Sequence, residues 1–224
     1  MSWTDPIDAY CERLGPGFWA EPVNALSNAA FLLAALAAFR LWRKRNRNAA
    51  RPDRASLVLT GLVAVIGTGS FLFHTFADRW SVLADTIPIA LFIYAYFGLA
   101  LARFGALPPW RAAVATAGFL AASLLLAEPL FAPLVGSSAG YVPALLALFG
   151  IGLWLKRRSR AGGEALLAAG TVFLVSLALR TADLPLCDSW PLGTHFGWHI
   201  LNALVLFLLL RAAIGHQPAS ERTS

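Results

Sequence analysis

Charge is what this sequence has least of. Only 13% of its 224 residues are Asp, Glu, Lys or Arg, about half the share of an ordinary soluble domain, while 58% are hydrophobic. The apolar residues come in long blocks with short polar clusters between them, which excludes a soluble core with scattered loops. Sustained polar–apolar alternation is also missing, so continuous helices are expected rather than a β-barrel. Lysine occurs only as Lys44 and Lys156, both in polar connecting segments. No lysine inside a span is then available as a Schiff base, which excludes a retinal protein. There is no internal repeat, no low-complexity segment and no second domain. The opening "MSWTDPIDAYCERLGPGFWA" is acidic and aromatic, unlike a secretory leader.

What is present is a set of apolar blocks near the roughly 20 residues that cross a bilayer. Seven are expected, at residues 22–42, 55–75, 81–102, 111–127, 138–156, 164–182 and 194–213, with Pro129, Pro133 and Gly136 marking the break between the fourth and fifth. The fold expected is therefore all-α, a polytopic membrane protein with a seven-transmembrane-helix bundle. Residues 1–21 form a tail, 22–214 the seven-span domain and 215–224, "GHQPASERTS", a disordered tail.

The basic residues fix the expected orientation. Of 18, all but Arg13, Arg79 and Arg180 fall on one side of a seven-span arrangement, most densely at Arg40, Arg43, Lys44, Arg45, Arg47, Arg51 and Arg54. The positive-inside rule puts that side in the cytoplasm, with the N-terminus outside and the C-terminus inside. The basic first loop reads as a topology signal, and next as a contact with anionic lipid headgroups, rather than as a nucleic-acid site. Cys11 and Cys187 then both lie outside, where an oxidising compartment permits a disulfide. They are expected to pair and tie the tail over the outer mouth of the bundle.

Ionisable residues inside a membrane are costly and usually face the bundle interior. His74 closes the second span in "GTGSFLFHTFADRW", Asp85 opens the third in "SVLADTIPIA", and His195 and His199 open the seventh in "THFGWHILNALVLFLLL". Because spans alternate in direction, all four share one depth at the outer face. Residues four apart share a helix face, so His195 and His199 can address one centre and Ser70 lies one turn beneath His74. Gly67 and Gly69 leave room for a close neighbour. Three neutral imidazoles with one open position describe a catalytic zinc site, in which bound water is acidic enough to ionise near pH 7. Asp85 can hold that water as general base, act as a fourth ligand, or orient a histidine. Ser70 can donate to a ligand, the water or a developing oxyanion.

This set resembles the alkaline ceramidase family, in its bacterial branch, within a wider superfamily of seven-span hydrolases that includes adiponectin-receptor-like proteins. The residues that carry the resemblance are "YCER" followed by "WAEPVNALSN", "GTGSFLFH" with Asp85 eleven residues after His74, and "HFGWHILNAL". The resemblance implies a zinc-dependent hydrolase that cuts ceramide or a similar N-acyl lipid to a fatty acid and a long-chain amine. His74, His195 and His199 would hold Zn2+, with Asp85 and Ser70 catalytic. Trp198 would line the headgroup end of the pocket or anchor at the interface, and Tyr141 could reach the reacting carbonyl. The lipid would enter sideways between helices, in a bacterial inner membrane with the site at the periplasmic face.

Eukaryotic members of the resembled family also carry a calcium site in the N-terminal tail. Here Asp8, Tyr10 (through its backbone carbonyl), Glu12 and Glu21 would supply it. Ala9 and Leu14 stand where the family places an aspartate and an asparagine. The other reading of Glu12 and Glu21 is a tail held by salt bridges to Arg13 or Arg180. Asn24, Ser27 and Asn28 at the outer end of the first span can bond across helices, cap or pack. The alternative function is an adiponectin-receptor-like lipid-binding or signalling protein with a structural zinc. That reading typically places the N-terminus in the cytoplasm, against the charge distribution here.

Overall fold

Proline, glycine and short polar caps set where the helices begin and turn. The computed structural model describes residues 2–216; residues 217–224 of the tail expected to be disordered lie outside the described residues. Helix α1 (Pro22–Ser27) opens on a proline, whose missing N–H costs nothing in a first turn. Past a turn at Asn28 it continues as α2 (Ala29–Asn46). Asp53 caps α3 (Arg54–Phe76) by accepting from the Ser56 amide, and Asp78 and Ser81 form a capping box on α4 (Arg79–Arg103). Then come α5 (Pro109–Val135), a 3-10 turn (Gly136–Tyr141) and α6 (Val142–Arg157). α7 (Gly163–Ala182), a 3-10 turn (Leu184–Leu186) and α8 (His195–Gly215) complete the chain.

The helices pack in a closed ring, α2 on α3, α3 on α4, α4 on α5, α5 on α6, α6 on α7, α7 on α8, and α8 back on α2. α8 also touches α1 and α3. It is apolar on every side, as a helix surrounded by others must be, and it buries Ala203, Val205, Leu206, Leu209 and Leu210.

Six helical segments are long and apolar enough to cross a membrane. The expected fourth and fifth spans fall in one helical stretch of 49 residues, Pro109–Arg157, in which α5 passes through the 3-10 turn Gly136–Tyr141 into α6. The first arm does not stop at residue 127: Pro129 and Pro133 lie inside α5, which runs on to Val135. In an apolar segment, local adjustments and neighbouring helices can re-satisfy the carbonyls that proline leaves free. The run doubles back, because its two ends meet at one face. Arg160 donates to the Gly105 carbonyl, and the Phe104 ring fills the space where Gly162 would carry a Cβ.

That face, here the basic face, also holds a buried network. Arg103 donates to both Asp53 oxygens (2.7 and 2.9 Å), to Ser56 Oγ and to the Ala213 carbonyl. Trp42 Nε1 donates to the Asp53 carbonyl at 2.7 Å, and the Asp53 amide donates to Asn46 Oδ1 at 2.8 Å. Burial works against ionisation of Asp53. Hydrogen bonds from Arg103 and Ser56, with the Arg103 charge, outweigh it and hold the carboxyl below the ordinary range.

Candidate metal centre

At the opposite face the N-terminal tail is folded down onto the bundle. The Ile7 amide donates to the Ala77 carbonyl at 2.7 Å, and Cys11 is disulfide-bonded to Cys187, Cα atoms 5.2 Å apart. Sequence reasoning passed over Asp183, which joins the tail, the last loop and α8. One oxygen accepts from the amides of Thr194 and His195 (2.6 and 2.9 Å), the other from the Cys11 amide (3.1 Å). Gly193, at φ 68, must be glycine here, because a Cβ would strike the Asp183 carboxylate and Cys11. Asp183 thus works at the start of the helix that carries two of the three histidines.

The three imidazoles meet. Ligand atoms of His74, His195 and His199 lie within 4.8 Å of one another, and all three residues are buried. His74 Nε2 and His199 Nε2 are 3.1 Å apart; nitrogens around one zinc, at about 2.0–2.1 Å each, stand a little over 3 Å apart. The outer nitrogens have partners. His74 Nδ1 is 2.6 Å from Glu21 Oε2, and His199 Nδ1 is 2.7 Å from Ser27 Oγ. An ionised carboxylate can only accept, so His74 carries its proton on Nδ1 and turns the Nε2 lone pair to the centre. Tyr10 stacks on the His195 ring with centroids 3.7 Å apart, and His195 Nδ1 is buried without a partner.

Asp85 stands beside this group and is not among the clustered ligand atoms. Its Oδ1 is buried without a hydrogen bond, while Ser70 and the His74 ring act on its carboxylate. Gly69 creates this juxtaposition: a Cβ there would collide with the Ala84 carbonyl, so α3 and α4 approach closely only without one. Gly67 does the same against Phe31 of α2.

Trp198 is buried at 3% exposure, not lodged at an interface, and its ring lies 4.9 Å from that of Tyr141. Below them runs an apolar cleft. Its lining includes Tyr141 but not Trp198, and begins at Ile66, Ile89 and Asn202, each about one helical turn from Ser70, Asp85 and His199. It extends to Ala100 and Leu209, toward the basic face.

Three of the four residues expected for calcium have other partners. The Glu12 oxygens accept from the Val23 and Asn24 amides at 2.6 and 2.7 Å, capping α1. Glu21 binds His74 and also Arg13 Nε, at 2.5 Å. Asp8 is exposed, and the Tyr10 carbonyl, the atom expected to bind, accepts from the Arg13 amide at 3.2 Å. Calcium takes six to eight oxygens; a guanidinium stands beside Glu21 instead, so this set does not fit the ion. Burial opposes ionisation of Glu21, but the His74 and Arg13 hydrogen bonds and charges prevail and hold its carboxyl below the ordinary range.

Apolar helical segments closed in a ring around a buried three-histidine cluster define a multi-pass membrane protein with a site able to hold a metal ion. The sequence profile of the ceramidase family matches residues 10–214, and the chain belongs to that family. Membership implies a hydrolase acting on amide bonds and a lipid substrate such as ceramide. No curated protein matches the chain in sequence.

Proposed function

We propose that this chain is a zinc-dependent integral-membrane amidohydrolase that cleaves ceramide or a similar N-acyl lipid to a fatty acid and a long-chain amine. The observation that carries the reading is the convergence of His74, His195 and His199, with Glu21 and Ser27 on the outer nitrogens, at the head of an apolar cleft. The donor set suits zinc: imidazole nitrogens only, with both cysteines withdrawn into a disulfide. Bound there, a zinc ion would supply Lewis-acid polarisation of the acyl carbonyl and an acidified water.

The chain's own residues do the rest. Asp85, with one oxygen unpartnered and Ser70 beside it, takes a proton from the attacking water. It returns that proton to the amide nitrogen as the C–N bond breaks, giving a carboxylic acid and an amine; the acid's remaining proton then passes to the amine, leaving a carboxylate and an ammonium. Ser70 keeps the carboxylate turned inward. The cleft takes the acyl chain, and Trp198 and Tyr141 wall the side toward the headgroup. Glu21 and Ser27 fix the rings of His74 and His199.

The topology follows from the same reading. The run Pro109–Arg157 would be roughly 73 Å long if straight, well over a bilayer core of about 30 Å. Since it doubles back, it crosses twice, making seven spans. The basic face is cytoplasmic. The tail, residues 1–21, and the centre are extracytoplasmic, at the periplasmic side of a bacterial inner membrane.

Metal analysis of purified protein tests the centre. About one zinc per chain is expected, lost in His195→Ala/His199→Ala; unchanged stoichiometry in that variant removes the site. Asp85→Asn should lower the rate of fatty-acid release about 10²–10⁴-fold, with equal release by both forms denying Asp85 its role. Failure of the wild type on every lipid amide and ester offered would leave the lipid-binding or signalling reading.

A further inference from the structure

Three arginines reach into the interior, and they differ in what balances them. Arg13 pairs with Glu21 and Arg103 with Asp53. Arg180, in the last turn of α7, has no carboxylate within ion-pair distance among the described residues. Its Nη1 donates to Ser137 Oγ at 3.1 Å and Ser138 Oγ at 2.9 Å. The guanidinium lies over the Tyr141 and Trp198 rings, 5.1 and 5.8 Å from their centroids. Ser138 and Trp198 are buried while Ser137 is exposed, so Arg180 spans from an open edge to the wall of the histidine centre. Its charge acts on Asp85, His195 and His199.

A cation taken out of water is costly without a partner. Hydroxyls and aromatic faces position a guanidinium, but they do not neutralise it. Its planar fork fits a carboxylate or phosphate. The location says which part of a ligand would supply one. The cleft leads from the centre toward the basic face and takes the acyl chain. The amine side of the amide must then point to the tail face. There Tyr10 covers His195 and is itself hydrogen-bonded to Arg180, which stands beside it with exposed Ser137.

We propose that Arg180 binds an anionic oxygen group on the amine side of the substrate, so that the preferred lipids are N-acyl amines bearing a carboxylate or phosphate near the amide. This rests on the hydrolase reading and narrows it: a neutral ceramide headgroup leaves Arg180 without a counter-ion, whereas an N-acyl amino acid provides one.

The test uses lipids with one acyl chain and three headgroups, N-acylserine, N-acylphosphoethanolamine and the neutral N-acylethanolamine, in neutral detergent without phospholipid. Wild-type kcat/KM should favour the anionic pair by about ten- to a hundredfold, the range of a charged hydrogen bond. Arg180→Gln should bring the anionic-to-neutral ratio toward one, and Arg180→Lys, which keeps a point charge without the fork, should hold an intermediate ratio. No anionic preference in the wild type overturns the proposal without need of any variant. So does a preference that survives Arg180→Gln. Added phosphatidylglycerol that stimulates all three substrates alike, with no preference among them, assigns Arg180 to the bilayer and also overturns it. Calorimetric binding of N-acylserine separates the two readings. Binding that depends on Arg180 with no lipid cleaved ends the hydrolase reading and keeps the anion site; cleavage without headgroup preference does the reverse.

Discussion

Both faces of this bundle bury polar networks, yet only one is complete. At the basic face Asp53, Arg103, Ser56, Asn46 and Trp42 are all joined to partners. At the tail face Asn24 Oδ1, Asn28 Oδ1, Asp85 Oδ1 and His195 Nδ1 are buried with none. Buried polar atoms are nearly always paired, and each exception asks for a reason. The closed network staples the ends of α3, α4 and α8 together. The open one leaves an imidazole nitrogen and a carboxylate oxygen unpaired beside the histidine cluster. On the proposed reading, the difference separates residues that hold the bundle from residues that act.

Cutting the closed network sharpens that contrast most. Arg103→Ala leaves Asp53 buried without its counter-ion, and about 3–5 kcal/mol of stability should go, read as a lower denaturant or thermal midpoint. Metal content of the folded fraction should stay at the wild-type value; zinc lost together with stability would mean the two faces are not separate. The pH dependence has a definite sign. The folded Asp53 carboxyl titrates below its unfolded value of about 3.9, so its contribution is full above that pH and fades as pH falls through the lower folded value. The gap between wild type and Arg103→Ala should therefore be constant at neutral pH and close only in strong acid.

The open network is probed more gently through the outer nitrogens. Ser27→Ala should weaken metal affinity about 10–100-fold without the stability loss of Arg103→Ala; Glu21→Gln should weaken it as much and also lower stability, because it leaves buried Arg13 without its counter-ion. Equal metal retention against a chelator series would reduce Glu21 and Ser27 to packing residues.

Much of this could be read from spacing and much could not. His74, Asp85, His195 and His199 were legible because ionisable residues stand out in apolar spans and alternate helix direction fixes their depth. Gly69 announced a close helix contact. The bridge of Glu21 to Arg13 was legible as one of two readings, but its bond to His74, like that of Ser27 to His199, was not, because a side chain's partner across 53 or 172 residues is set by how helices rotate and not by local pattern. Asp183 stood in a loop, where an aspartate is ordinary, and its three amide donors come from two distant segments. The end of α5 was hidden because proline is a reliable breaker in water and a weaker one in an apolar bundle.

The smallest expected effect concerns calcium, and it bears on why the tail holds its shape. Arg13 places Nε on Glu21, Nη1 on the Gly15 carbonyl at 3.0 Å and Nη2 on the His74 carbonyl at 3.3 Å. A covalently attached cation thus joins the tail to the carboxylate that orients His74. A ligand that binds only the folded state stabilises it by RT ln(1 + L/Kd), where L is the free ligand concentration, so the melting temperature rises with ligand concentration. Titrating the zinc-loaded protein with calcium should leave the melting temperature where it was, because Glu21 is already neutralised and Glu12 caps a helix, which leaves exposed Asp8 too few oxygens to hold the ion. A concentration-dependent rise in melting temperature would show that oxygens other than those of Glu12 and Glu21 assemble a site, and that Arg13 is not the cation on which the tail depends.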